Sequence, residues 1–347
     1  MKTATATDFN DLSQLRGNEV VRKIVTDAPL IEPTRIVVVD ASDLLTASFP
    51  PREMLLSPWL ESQSLSMIYA WRGVGKTHVA LGIAYALASG GEFLGWRARA
   101  PVSVLYLDGE MPGAALRERL ANIVANAEEE AAPGNLRFVT PDLQPNGIMP
   151  NLGTHEGQAD IEQSLTDARV IVVDNLSCMV RGGKENEADS WLPVADWALR
   201  MRARGRSVIF IHHSGKNGQQ RGTSKREDLL DVVIMLKRPA DYSPDEGARF
   251  EVHFEKARSL HGQDVAPLEA ALETLSSGKR SWATRTVEDA TDVQMIELAT
   301  IGLPQAEIAR ELGVHRSTVL RALKKAQDDG RYVPKAKARR QGGHRGD

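Results

Sequence analysis

The segment AWRGVGKT, which begins at Ala70, has the composition of a phosphate-binding loop. Gly73 and Gly75 allow backbone N–H groups to turn inward around a phosphate, and a helix that begins after Gly75 attracts the same anion. Lys76 can reach the β- and γ-phosphates of a nucleotide, and the Thr77 hydroxyl can ligate Mg²⁺. Ala70 stands where the pattern G-x-x-x-x-G-K-[ST] has its first glycine. The segment predicts an ATP and Mg²⁺ site, and the alternative is a glycine-rich turn with a surface lysine.

Two carboxylates that follow apolar runs could complete this chemistry. Asp174 ends the run VIVVD, which would place it at the carboxyl edge of a sheet, where it can orient Mg²⁺, in part through water. The alternative for Asp174 is a helix cap or a turn residue. Glu110 comes just after VSVLYLD and can accept a proton from the water that attacks the γ-phosphate. Asp108 is the second candidate for this base, and a helix N-cap is the alternative role for Glu110.

The elements that must position these residues alternate between short apolar runs and helical patterns. Continuous β-branched runs separated by helices are typical of a parallel sheet covered on both faces, so we expect an α/β fold. Strands are predicted at 66–70, 102–108, 170–174, 207–213, 231–236 and 248–254, the last two as antiparallel edge strands. Helices are predicted at 76–88, 114–127 and 190–202. Residues 255–290 lose the alternation and are interpreted as loop and linker.

The motifs WRGVGKT, VLYLDGEM, VIVVDN and VIFIHHSGK, followed by RGTS, occur in this order along the chain. Together they resemble the RecA-like ATPases, specifically the RepA-type plasmid replicative helicases, over residues 50–265. The resemblance implies a RecA-like P-loop core in which a parallel twisted sheet lies between helices. It also implies a ring-forming homo-oligomer, for which a hexamer is one candidate, with ATP sites shared between subunits.

Further site residues follow from this resemblance. His213 stands where family members carry a polar sensor of the γ-phosphate, although a histidine hydrogen-bonded at the sheet edge is the alternative. Arg221, in RGTS, matches the position of an arginine finger offered to the neighbouring subunit, where a guanidinium stabilises charge on the transferring phosphate. Lys225 and Arg226 are alternative fingers, and a surface arginine is the simpler interpretation of Arg221. A basic pair that could contact nucleotide or DNA in the adjacent protomer consists of Lys256 and Arg258.

Direct nucleotide contacts are assigned to the loop and the start of its helix. Trp71 is the aromatic residue of this set, and it could flank the nucleotide, whereas the other five tryptophans are interpreted as packing residues. The assigned residues are Trp71, Arg72, Gly73, Val74, Gly75, Lys76, Thr77 and His78.

Residues 292–330 predict two short helices around a turn at Gly313. Pro304 would start the first helix, and Ser317 and Thr318 would open the second. The apolar positions are Ile308, Leu312, Val314, Val319, Leu320 and Leu323.

The segment QAEIARELGVHRSTVLRALKKA is similar to the helix-turn-helix of many bacterial DNA-binding proteins. That similarity places His315, Arg316, Ser317 and Arg321 against the major groove and Lys324 and Lys325 against phosphates. The alternative is a helical oligomerisation or lid module with a solvated basic face.

The charge distribution supports a polyanionic partner at the C-terminus. Residues 315–347 hold ten Lys and Arg against three Asp, a net charge of +7, whereas the whole chain carries −3. Residues 1–314 therefore carry −10, so an acidic body precedes a basic end. Such an asymmetry favours contact between the C-terminal segment and nucleic acid. A solvated tail is the alternative for residues 335–347.

Composition excludes several other classes of protein. The chain has 347 residues, 42% apolar and 26% charged, which is typical of a globular protein of about two domains and not of a disordered or collagen-like chain. A single cysteine cannot form an internal disulfide and favours a reducing compartment. The N-terminus lacks the apolar core of a signal peptide, and no apolar run is long enough to span a membrane. We therefore expect a cytoplasmic protein without a membrane partner.

These observations predict a domain order and two competing functions. The predicted segments are an N-terminal arm (1–50), a P-loop ATPase domain (51–265), a linker (266–290), a helix-turn-helix domain (291–334) and a basic tail (335–347). The first hypothesis is an ATP-driven, ring-forming DNA helicase or replication protein of a plasmid or integrated element. The second is an ATP-switched DNA-binding regulator that unwinds nothing. A metabolic P-loop kinase ranks third because no acceptor-binding insertion or lid is evident.

Overall fold

The computed structural model of the chain describes residues 9–27, 36–181, 188–214, 227–276 and 278–334. These belong to two compact units, Met1–Pro51 and Arg52–Asp347. In the first unit the described residues form three helices: α1 (Phe9–Arg16), α2 (Asn18–Asp27) and α3 (Ala41–Thr46). This unit was expected to be an arm and a turn, and short helices are what the structure shows there.

The second unit contains thirteen described strands. They are β1 (Met54–Ser57), β2 (Leu60–Glu61), β3 (Leu65–Ala70), β4 (Glu92–Phe93), β5 (Trp96–Ala98), β6 (Val104–Asp108), β7 (Leu136–Val139), β8 (Val170–Asp174), β9 (Ser207–His213), β10 (Val232–Lys237), β11 (Arg249–Ala257), β12 (Leu268–Thr274) and β13 (Arg280–Thr286). The described helices of this unit are α4 (Lys76–Ser89), α5 (Gly113–Asn126), α6 (His155–Ser164), α7 (Leu176–Met179), α8 (Ala188–Ala203), α9 (Val287–Ile301), α10 (Gln305–Glu311) and α11 (Arg316–Asp328).

Nine strands form one sheet in the order β13-β12-β11-β10-β3-β9-β8-β6-β7. The six strands from β10 to β7 are parallel, and β11, β12 and β13 continue the sheet as antiparallel strands. A smaller antiparallel sheet has the order β2-β1-β5-β4. The α/β fold with a parallel core is confirmed, and all six predicted strands form within a few residues of their expected bounds.

Alternation along the parallel strands assigns each side chain to one face of the sheet. In β8, Val170 and Val172 pack in the same core cluster as α4, whereas Ile171 and Val173 pack against α8 on the other face. Asp174 follows Val170 and Val172 in this alternation, so it belongs to the face covered by α4. The alternation along β6 places Tyr106 on the same face. In the parallel register Asp174 pairs with Asp108, so both carboxylates lie at the carboxyl edge of the sheet.

The expected linker is where the prediction was wrong. Residues 266–290 contain β12 and β13, and β12 pairs with β11 from Leu268↔Val252 to Ala271↔Arg249. A chain of ion pairs fixes this part of the sheet: Arg249 pairs with Glu269 at 3.1 Å, and Glu269 also pairs with Arg285 at 2.7 Å. The strands LEAALET and RSWATRT have little β-branched content, so the local apolar signal that marks buried parallel strands is missing. Because β12 and β13 extend the sheet beyond β11, strands β10 and β11 are interior strands and not the edge pair that was expected.

The C-terminal residues form three helices around their own small core. Met295 of α9, Ile308 of α10, and Val319 and Leu323 of α11 are buried together. Leu320 was predicted in this core but is 53% exposed, because the buried stripe of α11 runs through positions 319, 322, 323 and 326 and leaves position 320 outside it. Two helices on either side of Gly313 form as predicted, but Pro304 is the N-cap of α10 and not its first residue, and α11 begins at Arg316 and not at Ser317. Among the described helices, none is long and apolar enough to cross a membrane.

Candidate nucleotide-binding site

The segment between β3 and α4 forms a loop that only glycine can support at two positions. Gly73 and Gly75 have φ values of +76° and +125°, which side chains other than hydrogen rarely adopt. A Cβ on Gly75 would also approach Cε1 of Phe250 to 3.3 Å. Ala70, by contrast, is the last residue of β3, so the position where the motif departs from glycine is an ordinary strand position. The departure from the motif therefore leaves the loop geometry intact.

Lys76 begins α4 with its ammonium group turned back into the loop. Its Nζ donates to the carbonyl oxygens of Ala70 at 3.1 Å and Trp71 at 3.0 Å, and the side chain is buried. Burial lowers the pKa of Lys76 to about 8, although Asp174 and Glu110 act in the opposite direction. A buried cation whose hydrogen bonds to the described residues go to neutral carbonyls is a group that an anionic phosphate would stabilise.

Asp174 lies beside this loop and is almost completely buried. Its Oδ2 accepts a hydrogen bond from the Tyr106 hydroxyl at 2.6 Å, and the Thr77 hydroxyl also donates to the carboxylate. Burial raises the pKa of Asp174 to about 6 in spite of these bonds. The helix-cap interpretation of Asp174 is wrong, because Asn175 is the residue that caps α7, with its side chain accepting from the Cys178 N–H at 3.1 Å.

We predict that Asp174→Asn stabilises the protein in a nucleotide-free buffer with a chelator. The pKa of Asp174 rises on folding from 3.8 to about 6, so the folded state is penalised above pH 6 by about 3 kcal/mol. This cost decreases as the pH falls through 6, and only a small part of it is left at pH 4, since the carboxyl is protonated in both states only below its unfolded pKa of 3.8. Thermal unfolding of both proteins from pH 8 to pH 4 should give curves that converge at the acidic end.

The matched control for this prediction is Asp160→Asn, which changes an exposed carboxylate on α6 and should leave the unfolding temperature unchanged at every pH. A lower unfolding temperature for Asp174→Asn at pH 8 would show that the carboxylate stabilises the empty fold.

Glu110 and Asp108 have different environments, although they are two residues apart. Asp108 is 1% exposed, and its oxygens accept from the backbone N–H groups of Glu110 and Met111 at 3.4 and 3.2 Å and from the Thr140 hydroxyl at 3.2 Å. Glu110 is exposed to the cleft, and one of its oxygens accepts from the Asn175 side-chain amide. Pro112 is the N-cap of α5, so Glu110 is not a helix cap. Asp108 therefore holds the turn, and Glu110 has a carboxylate oxygen open to the cleft.

The two histidines at the end of β9 lie on opposite faces of the sheet, as the strand period requires. His213 pairs in register with Ala70 at the base of the loop, and its Nε2 lies 3.9 Å from Oε2 of Glu110. His212 is 1% exposed and follows Phe210 in the strand period, on the face covered by α8. The structure brings His213, and not His212, into the cleft.

The loop, α4 and the strand ends enclose a cleft of about 540 Å³. Arg72, His78 and Arg119 line it together with the residues described above. Within the described residues, no group of three or more His, Cys, Asp or Glu side chains could hold a metal ion alone. One carboxylate and one hydroxyl, Asp174 and Thr77, are the kind of partial ligand set that Mg²⁺ uses when phosphate oxygens supply other ligands. The residues present therefore fit a nucleotide with its Mg²⁺.

Sequence reasoning missed three residues that shape this cleft. Tyr106 precedes Asp108 by two positions, so the strand period could have placed it on the same face. Asn175 adjoins Asp174 and bonds to Glu110. Arg238 follows β10, and its Nη2 donates to the Gly73 carbonyl at 3.2 Å. No local pattern marks Arg238, because its position depends on β10 pairing with β3.

Other predicted site residues are placed elsewhere. The candidate fingers Arg221, Lys225 and Arg226 fall outside the described residues, as does the basic tail 335–347. Trp71 is 50% exposed at the cleft mouth. Lys256 lies at the end of β11 that pairs with the start of β10, and Arg258 follows it, with Nη1 3.9 Å from Asp231. They are therefore at the opposite edge of the sheet from this chain's own cleft.

The predicted DNA-contacting residues are exposed on or just before α11. Ser317, Arg321, Lys324 and Lys325 follow a spacing of four, three and one residues, which places them along one side of the helix. Arg316 is exposed at its first position. His315 is the N-cap of α11, and its Nδ1 accepts from the Ser317 N–H at 3.2 Å. Nδ1 of His315 is therefore engaged in the N-cap of α11.

Comparisons with known proteins identify two family models and several solved structures that are similar to parts of this chain. A family model described as AAA domain matches residues 30–219, and one described as homeodomain-like domain matches residues 293–334. Among solved structures, a KaiC-like protein from the hyperthermophilic archaeon Pyrococcus horikoshii is 16% identical, with 67% of this chain and 93% of that chain covered and a TM-score of 0.46. The flagellar accessory protein FlaH from Methanocaldococcus jannaschii is 11% identical, with 64% and 90% covered and a TM-score of 0.42.

Proposed function

Because the chain belongs to the AAA domain family and ends in a homeodomain-like helix-turn-helix, we propose that it is an ATP-hydrolysing protein that acts on DNA as a homo-oligomer. The single observation that supports hydrolysis best is the convergence of Lys76, Asp174 and Glu110 on one cleft. Each has a different environment: a buried cation, a buried carboxylate and an open carboxylate. Those are the three kinds of group that phosphoryl transfer to water requires.

In this proposal each residue has one task. Backbone N–H groups from Gly73 to Thr77 surround the phosphates, and Lys76 leaves its carbonyl partners for the β- and γ-phosphate oxygens. Thr77 and Asp174 would hold Mg²⁺, which would neutralise developing charge on the phosphates. Glu110 accepts the proton of the attacking water, and the Asn175 amide orients its carboxylate.

Two contributions to the proposed reaction come from the resemblance to RepA-type helicases. His213, 3.9 Å from Glu110, would sense the γ-phosphate through the proton-accepting carboxylate. Arg221 of one protomer would stabilise the transferring phosphate in the cleft of the next, with Lys225 and Arg226 as alternatives. Such a shared site makes hydrolysis dependent on the assembly of the oligomer.

We expect Glu110→Gln to bind ATP with near-wild-type affinity and to lose turnover by about 100-fold or more, because the amide cannot accept the proton of water. The measurements are phosphate release and equilibrium binding of ATP.

Asp108→Asn is the informative comparison for this prediction. Because the Asp108 carboxylate is buried and its oxygens accept bonds that hold the turn, its variant should keep a larger share of its turnover than Glu110→Gln does. The opposite order of turnover would transfer the base role to Asp108.

The same architecture could serve either of two DNA functions. The resemblance to RepA-type proteins favours a ring-forming replicative helicase or replication protein of a plasmid or mobile element. A second observation favours an ATP-switched DNA-binding regulator: Thr286 ends β13 and also caps α9, with its hydroxyl accepting from the Asp289 N–H at 3.0 Å. The helix-turn-helix is therefore joined to the ATPase sheet without an intervening loop.

Oligomeric mass and DNA-stimulated hydrolysis distinguish these two functions. For a helicase we expect a ring in the presence of ATP, hydrolysis stimulated several-fold by single-stranded DNA, and ATP-dependent unwinding of a forked duplex. Lys76→Ala controls for contaminating ATPases. Slow turnover that single-stranded DNA does not change, with duplex affinity that depends on ATP, would favour the regulator and exclude the helicase.

A further inference from the structure

A second cavity, of about 800 Å³, lies on the α4 face of the sheet beside the nucleotide cleft. Its walls are α4, α5, the β4–β5 hairpin and the outer strands β12 and β13. His78 and Arg119 line both the cavity and the cleft, so they form the boundary between the two. The proposed ATPase reaction uses no side chain from the rest of this cavity.

The end of the cavity next to His78 is basic. Arg119 of α5 and Arg280 of β13 line this end of the cavity and lie close to His78. Within the described part of the chain, neither arginine forms an ion pair. Two guanidinium groups of like charge beside one half-buried imidazole form an end that an anion would stabilise.

The middle of the cavity is apolar and flat. Phe93 and Trp282 form an edge-to-face pair with ring centroids 5.8 Å apart. The ring of Phe93 lies directly on α4 at Gly82, where a Cβ would come within 2.2 Å of it. Ile123 of α5 lies in the same lining. These side chains offer aromatic and aliphatic surface to a planar apolar group.

The far end of the cavity is acidic. Glu128 and Glu129 are exposed there, and Tyr85 of α4 donates its hydroxyl to the Glu129 carbonyl at 3.3 Å. Along α4, His78 and Ser89 are eleven positions apart, which corresponds to about 16 Å of helix. Two of the three arginines that line the cavity, Arg119 and Arg280, therefore lie at one end of an apolar body, whereas the third, Arg97, is paired with Glu92. A free inorganic anion would use only the first end.

We propose that this cavity binds a small organic anion, in which a phosphate, sulfate or carboxylate contacts Arg119 and Arg280 and a planar apolar body lies against Phe93 and Trp282. The site is distinct from the nucleotide cleft, and a ligand can occupy it while a nucleotide is bound. The proposal does not depend on the direction or the rate of the ATPase reaction.

The test uses 1-naphthyl phosphate as the probe and the full chain saturated with Mg²⁺ and a non-hydrolysable ATP analogue. Isothermal titration should show one probe bound per chain. 1-Naphthol and inorganic phosphate should each bind at least tenfold more weakly, because each satisfies only one part of the cavity. Arg280→Gln should weaken probe binding about tenfold, and Ala115→Leu, which fills space at the α5 wall, should weaken it without removing a charge.

Arg97→Gln is the matched control. Arg97 lines the same cavity, but its guanidinium is already paired with Glu92 at 2.9 Å, so probe affinity should change less than twofold. Far-UV circular dichroism and thermal unfolding verify that each variant is folded. If the nucleotide-free chain binds the probe but the chain saturated with the ATP analogue does not, the proposal is overturned, since the probe then occupies the nucleotide cleft. Equal binding to Arg280→Gln, Ala115→Leu and wild type would overturn it as well.

Discussion

Lys76→Ala is expected to reduce ATP hydrolysis by about 10³-fold, the largest effect of any single substitution in the cleft. The ammonium group is buried, and within the described residues its hydrogen-bond partners are the carbonyl oxygens of Ala70 and Trp71, so its charge is available to the phosphates. Burial already lowers the pKa of Lys76 to about 8. Removing a desolvated cation relieves that cost, and we therefore expect little loss of thermal stability. Phosphate release under saturating ATP is the measurement.

The matched control for Lys76→Ala is Lys237→Ala. Lys237 ends β10, the strand adjacent to β3, but its side chain is exposed and pairs with Glu251 at 3.5 Å. Its loss should leave turnover within about twofold of wild type, since surface ion pairs contribute little. If Lys76→Ala keeps more than a tenth of wild-type turnover while ATP still binds, the phosphates do not meet the buried ammonium and the proposed cleft is wrong.

The inner strands of the sheet were predictable because burial on both faces leaves a strong local signature. Strands β3, β8 and β9 are runs of apolar residues, and each ends in the residue that reaches the cleft edge: Ala70, Asp174 and His213. The outer strands β12 and β13 carry no such signature. Arg249, Glu269 and Arg285 stabilise their pairing by ion pairs between residues far apart in sequence, which no local window detects.

The residues of the candidate site also divide into those that the local sequence predicts and those that depend on strand pairing. Gly75, Lys76 and Thr77 belong to one short motif, so their proximity follows from the local sequence. The role of Asp108 as the residue that holds the turn, and of Glu110 as the open carboxylate, depends on where Thr140 and Asn175 are placed by other strands. Arg238 reaches the Gly73 carbonyl only because β10 pairs with β3. The sequence therefore predicts the reactive groups that belong to one short motif. It does not predict the contacts that orient them, because those contacts depend on how the strands pair in the sheet.

Replacing four exposed cations of α11 by alanine should reduce duplex DNA affinity on the order of 10³-fold at about 0.1 M salt, because each neutralised phosphate releases a counterion. The residues to change are Arg316, Arg321, Lys324 and Lys325. The core of the module is formed by other positions of α11, among them Val319 and Leu323, so the fold should persist. The slope of log affinity against log salt should become shallower by about 3.6 units if all four contact phosphates, and by less if the arginines contact base edges.

The same measurement separates DNA contact from charge alone. A control that removes Arg310 of α10 and Arg331, which pairs with Asp329 at 2.9 Å, changes the basic charge of the module without touching α11. We expect that control to keep the wild-type slope within about one unit. Basal ATP hydrolysis should be unchanged in both variants, because the residues that line the proposed cleft lie between positions 72 and 248 and precede the helix-turn-helix. If the α11 variant and the control lose affinity equally, the module contributes only diffuse charge, and α11 does not enter the groove. If oligomeric mass changes while duplex affinity does not, the helices serve assembly, and the DNA-binding surface lies elsewhere on the chain.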